Sequence, residues 1–142
     1  MTDIRKIAQE VKSLVERRMY YKTDDKVYDQ DEYWVSHADY MMENIDDTRL
    51  RIAGDCDDYS LTQAEIFVKY YNIDPALVRI VHCEIPHVGH HLVSAIDDPE
   101  DNDRTWILCL NLDRVYDWRD IRYIWHKGMR LSEKGVWREI PA

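Results

Sequence analysis

Apolar residues recur at helical spacing from the start of the chain. Ile4, Ile7, Ala8, Val11, Leu14 and Val15 fall on one face, which predicts an amphipathic helix over residues 3–19. Residues 22–32 are polar and irregular. A shorter helix is expected from Ser36, with Asp39 three residues on completing a capping-box start and Ala38, Met41, Met42 and Ile45 turned inward. After a loop over 46–54, a third helix is predicted over residues 56–71. Leu61, Ala64, Phe67 and Val68 form its stripe, widened by Tyr59, Ile66 and Tyr70. Asn72 can take the left-handed backbone that stops a helix, and Pro75 prevents it resuming.

The period then changes. Residues 77–83, 90–96 and 105–111 read as strands, the last two joined as a hairpin by the acidic turn 97–104. Residues 122–126 and 135–140 add short strands. Helices first and an antiparallel sheet afterwards make an α+β domain. At 142 residues, with no repeat or linker, the chain is expected to be one domain, with residues 1–30 as helix and connector and 31–142 as core.

Charge narrows the function. A net charge of −9 disfavours nucleic acid as a partner and tolerates basic or neutral peptides. The acidic turn implies that a substrate lying near it is not acidic. No apolar run reaches the ~20 residues of a membrane span. Three cysteines without paired spacing, and an N-terminus lacking a signal-peptide core, lead us to expect a reducing, cytoplasmic setting. Oligomeric state is not readable.

The chemistry concentrates in Gly54-Asp-Cys-Asp-Asp-Tyr-Ser60. A cysteine at a helix N-terminus meets unpaired N–H groups and the positive end of the helix dipole, both of which favour thiolate. The backbone N–H of Cys56 can also serve an oxyanion. Gly54 is read as the sharp turn into the helix. A lone cysteine is more often a small buried hydrophobe, but three flanking carboxylates make a poor setting for one. Those carboxylates also raise a thiol pKa. The base must come from elsewhere in the fold, and residues 82–91 hold His82, His87, His90 and His91. His90 and His91 point to opposite faces of a strand, so one of them meets Cys56. A hairpin turning near 100–101 sets positions 110–111 opposite His91. This makes Asn111 and Asp113 candidates to orient the imidazole.

These segments resemble the bacterial transglutaminase-like cysteine proteinases, within the papain-like transglutaminase superfamily. The resemblance rests on Asp31-Glu-Tyr-Trp34, Gly54–Ser60, His91-Leu-Val93 and Leu108-Cys-Leu-Asn-Leu112, and covers roughly residues 31–125. It implies a papain-like fold, a protein or peptide substrate, and peptide hydrolysis through a thioester. Cys56 would be nucleophile and His91 base, since H-x-V is kept; aligning on the glycine would choose His90. Trp34 is a further oxyanion candidate. The family's catalytic Asp is absent from its expected place, occupied here by Cys109 or Leu110, so Asn111 would have to serve. Some members bind calcium through acids flanking the cysteine, where this chain has Asp55 and Asp57. No other cofactor is implied.

Two rival readings stand beside the peptidase. One is a catalytically silent domain of the same shape that binds a protein or peptide, as a compact virus-encoded or host-interaction protein would. The other is a zinc site of His82, Cys83, His87 and His90 or His91, weakened by the absence of C-x-x-C or H-E-x-x-H spacing.

Overall fold

The N-terminal pattern becomes helix α1, Ile4–Arg18. Asp3 caps it by accepting the Lys6 N–H, and Ile4, Ala8, Val11 and Val15 are fully buried. The computed structural model describes residues 3–21, 36–100 and 104–140. Strand β1 (Met19–Tyr21) follows α1 directly and pairs in parallel with β2 (Ile52–Gly54). Helix α2 (Ala38–Glu43) lies between them in sequence and buries Ala38 and Met41 as expected. Its predicted capping box does not form. The N-cap is His37, without a side-chain cap bond, while Asp39 instead takes the Tyr70 hydroxyl at 2.8 Å and Lys69 at 3.2 Å. Tyr70 is therefore exposed rather than part of the apolar stripe.

Helix α3 (Cys56–Tyr70) is the central helix. It ends where Asn72 adopts φ 57°, the left-handed conformation the sequence predicts. A six-stranded antiparallel sheet packs on the helices: β3 (Val78–Ile85), β4 (Gly89–Asp97), β5 (Thr105–Leu108), β6 (Tyr116–Asp117), β7 (Ile124–Arg130) and β8 (Arg138–Glu139), in the order β6-β5-β4-β3-β7-β8. The α+β class and the β4–β5 hairpin are as expected.

The sheet is covered on both faces. Val78 and Ile80 of β3, Leu92 and Ile96 of β4 and Leu108 pack with α1 and α3. Val81, Cys83, Ile85, Val93, Ala95 and Ile107 face the other way, under Ile121, Tyr123, Trp125 and Ile140. Alternation along β3 thus sends odd positions to one core and even positions to the other.

Two strands depart from the sequence pattern. β5 ends at Leu108, so Cys109 to Asn111 are not strand. Residues of α1 take hold of the chain beyond it. The buried Lys12 ammonium donates to Leu112 O at 2.8 Å, and Gln9 Oε1 accepts the Val115 N–H at 3.0 Å. β7 is longer than the expected 122–126 and lies inside the sheet beside β3, with a register shift at His82/Cys83.

Candidate active site

β2 delivers the chain to the cysteine. Glycine is required at 54 for room, not for a turn: a Cβ there would sit 2.6 Å from Met19 Cε and 2.9 Å from Asp58 Cβ. Its backbone is not in the positive-φ region, which corrects the expected role. Asp55 then caps α3, accepting the Asp57 and Asp58 N–H groups, while the Asp58 carboxylate accepts the Asp55 N–H. The Cys56 N–H is outside this box.

Cys56 is half-buried, whereas Cys83 and Cys109 are buried. It lines a cleft of ~310 Å3 with Asp57, His82, His90, His91, Leu92, Lys127 and Trp137. The β4–β5 register, continued past the last pair Ser94–Leu108, sets Leu92 opposite Leu110, where β5 has already ended. The Leu92 N–H turns to the Cys56 sulfur instead. The thiol itself donates to Asp57 Oδ1 at 3.5 Å. Burial pushes the Cys56 thiol up to about 12; the Leu92 N–H works against this, and the charges of Asp57 and Asp55 add to it. At neutral pH Cys56 is a thiol.

Both candidate bases line the cleft with Cys56. The β3–β4 register pairs His90 with Glu84 on the helix side and His91 with Cys83, whose side chain lies on the other face. His91, unlike His90, also lines the tight space behind the sulfur with Tyr59, Ser60, Gln63, Leu108 and Leu110. Burial holds its pKa below the usual imidazole value, so its ring is neutral at neutral pH. Among the described residues, no hydrogen bond joins its ring to Cys56 or to a third group. His90 is exposed and turned to His82, with Nδ1 3.0 Å from His82 Nε2. Asn111 is exposed in the turn after β5, its N–H directed to Cys109 Sγ at 3.4 Å. Asp113 is exposed and accepts the Tyr116 hydroxyl at 2.8 Å. The fold thus sets Cys56 and His91 along one cleft and leaves both orienting candidates without a bond to the imidazole. Trp34 lies outside the described residues.

The chain's architecture has been seen before. EGTA-treated Legionella pneumophila LapG superposes with a TM-score of 0.71 at 15% identity, over 99% of this chain and 69% of that one. Calcium-bound Legionella pneumophila LapG gives 0.72 at 14% identity, over 97% and 70%. A further Legionella pneumophila LapG structure gives 0.66 at 17% identity, over 91% and 66%. The fold is the transglutaminase-like fold of LapG. The chain spans about two thirds of the LapG chains, and identities this low speak for fold alone. No protein-family model and no curated protein matches it.

The two expected metal sites fare differently from one another. Asp55 and Asp57 stand at the mouth of α3, but Asp55 is engaged as the helix cap. Among the described residues no third carboxylate joins them at ligand spacing. Two carboxylates fall short of the roughly six to eight oxygen ligands that calcium takes. The expected zinc set does not assemble. Cys83 is buried on the opposite face, and its thiol donates to His91 O at 3.6 Å. His87 is exposed in the β3–β4 turn at φ 67°. His126, Lys127 and Trp137 were not singled out by sequence, and His82 was named only among the four histidines of residues 82–91 and in the zinc set. The one readable signal was His82-x-Glu84, two polar residues continuing the face of Val78 and Ile80.

Proposed function

We propose that the chain is a cysteine peptidase or a closely related acyl-transfer enzyme, with Cys56 as nucleophile and His91 as base. The observation that supports it most is the position of the cysteine. It is the first residue of α3 and the only partly exposed thiol of the three, in a cleft it shares with a half-buried, neutral imidazole. LapG, whose fold this is, is a bacterial transglutaminase-like cysteine protease. Cys56 transfers its proton to His91 as the sulfur attacks an amide carbonyl. The Cys56 N–H stands to receive the oxyanion. The protonated imidazole then releases the amine, and water or an amine cleaves the thioester. The substrate is a protein or peptide.

A protonated thiol needs its base during attack, unlike a preformed thiolate–imidazolium pair. Asn111 is carried as the orienting residue from the sequence, where it falls opposite His91; in the fold it lies exposed in the turn after β5. Calcium, if held by Asp55 and Asp57, would offset the charges that raise the thiol. No step depends on it. Hydrolysis of a mixed fluorogenic peptide pool is the test. Cys56→Ala and His91→Ala should each abolish it, with the purified proteins still folded.

One observation favours a second reading, a silent peptide-binding module. The cysteine is held as a thiol near 12, and no orienting group is bonded to His91 among the described residues. Peptide binding by calorimetry without turnover, unchanged in Cys56→Ala, would select it.

A further inference from the structure

A second cluster lies at the same cleft, built from residues the cysteine chemistry does not use. Val78 and Ile80 point from β3 into the helix-side core, and the same alternation carries His82 and Glu84 onto that side beyond the core. Across from Glu84 on β4 is His90. The fourth member comes from β7. There the register passes from His82–Lys127 to Cys83–Trp125, so His126 is the extra residue of a bulge. Bulges turn a side chain away from its regular direction and are frequent beside functional sites. This one sets the His126 ring against His82, centroids 5.1 Å apart, and near His90 at 5.8 Å.

The ligand atoms are spaced as a small cation needs them. Glu84 Oε1 lies 3.0 Å from His126 Nε2 and 3.8 Å from His90 Nε2, and one ligand atom from each of the three falls within 4.8 Å of the others. Tetrahedral zinc binds nitrogen and oxygen at about 2.0–2.1 Å, which puts neighbouring ligand atoms roughly 3.4 Å apart. The two spacings bracket that value. His82 completes the arrangement from outside. Its Nε2 is 3.0 Å from His90 Nδ1, so a proton on His90 Nδ1 shared with His82 leaves the His90 Nε2 lone pair facing Glu84 and His126. Two imidazoles and a carboxylate suit zinc-class ions rather than calcium, which takes all-oxygen shells.

We propose that Glu84, His90 and His126 form a binding site for a divalent transition metal of the zinc class, with His82 orienting His90 and a fourth position open to water or a substrate group. The site uses neither Asp55 nor Asp57 and none of the cysteines. His82 and His90 line the cleft together with Cys56, so a bound ion would face whatever peptide lies over the thiol.

The test uses the full chain, prepared without a polyhistidine tag and stripped by chelator. Zinc is titrated by calorimetry and cobalt(II) by absorption. A single saturable equivalent with micromolar or tighter affinity is expected, with cobalt d–d bands and no sulfur-to-cobalt charge transfer. His126→Ala and Glu84→Gln should each weaken zinc by about tenfold or more, while Cys56→Ala leaves it unchanged. Circular dichroism of the metal-free variants verifies folding, and His90→Gln replaces any variant that fails to fold. Absence of a saturable equivalent in folded wild-type protein overturns the proposal. So does affinity unmoved in the folded His126, Glu84 or His90 variants, or a thiolate–cobalt band lost in Cys56→Ala. Because the readout is metal binding, an inert Cys56 leaves this outcome untouched.

Discussion

Asp57 is the residue whose charge most directly opposes Cys56. It accepts the thiol's hydrogen bond and adds repulsion to the cost of burying a thiolate. Asp57→Asn should therefore lower the thiol pKa and raise the iodoacetamide rate at Cys56 at neutral pH by roughly threefold to tenfold. An unchanged or slower rate would mean that burial alone sets the thiol. The base titrates on the other side of neutrality. Burial lowers the His91 pKa below 6.5, so His91 is free to accept a proton above that lowered value and is blocked below it. The acid limb of turnover should accordingly have its midpoint under pH 6.5; a midpoint above 6.5 would point to another base. The cysteine and its opposing carboxylates were readable from residues 54–60, because a helix start and its charges are local. The Leu92 N–H on the sulfur was not, because it depends on where a distant strand stops.

That stop is an event of whole elements. Cys109-Leu-Asn111 alternates as a strand should, yet α1 draws the chain aside through Lys12 on Leu112 O and Gln9 on the Val115 N–H, partners 100 and 106 residues away in sequence. No local pattern carries that information, and it is why Asn111 lies in a turn. Asn111→Ala separates two outcomes. A loss of turnover beyond about tenfold places Asn111 on the imidazole, whereas a change under about twofold leaves a Cys56–His91 pair acting alone. The β7 bulge was equally hidden, since nothing in Ile124-Trp-His-Lys-Gly128 marks His126 as the residue without a partner. The β1–β2 pair holds the entry to α3, and there the glycine was legible while its reason was not. Gly54→Ala should cost about 1–3 kcal/mol, because Met19 and the Asp58 Cβ, which helps form the helix cap, must give way. Chemical denaturation measures it, and a neutral substitution would show that the β1–α3 junction is slack.

The molecule as a whole carries −9, yet among the described residues its cleft is lined by three imidazoles and Lys127 as well as Asp57, with Glu84 beside His90. The acidic turn begins at Asp97, six residues along β4 from His91, or about 20 Å of strand. It is too distant to select the group bound at Cys56, so the expected bias against acidic substrates does not extend to the cleft. Among the described residues, no helix is long and apolar enough to cross a membrane. Half-buried histidines tie the fold to pH. His37 and His91 are both lowered by burial, so the unfolded chain takes up protons first, and stability falls as pH drops through 6.5 toward their folded values. Urea midpoints at pH 8 and pH 6, where carboxylates keep their charge, should decrease in that order. The most direct measurement on the Cys56–His91 pair is covalent labelling by a peptidyl epoxide at pH 7.5, mapped by mass spectrometry. Labelling confined to Cys56, slowed about a hundredfold or more in His91→Ala and unchanged in His90→Ala, is the predicted result. Labelling of Cys56 at the same rate without His91, or a label on Cys83 or Cys109, would contradict it.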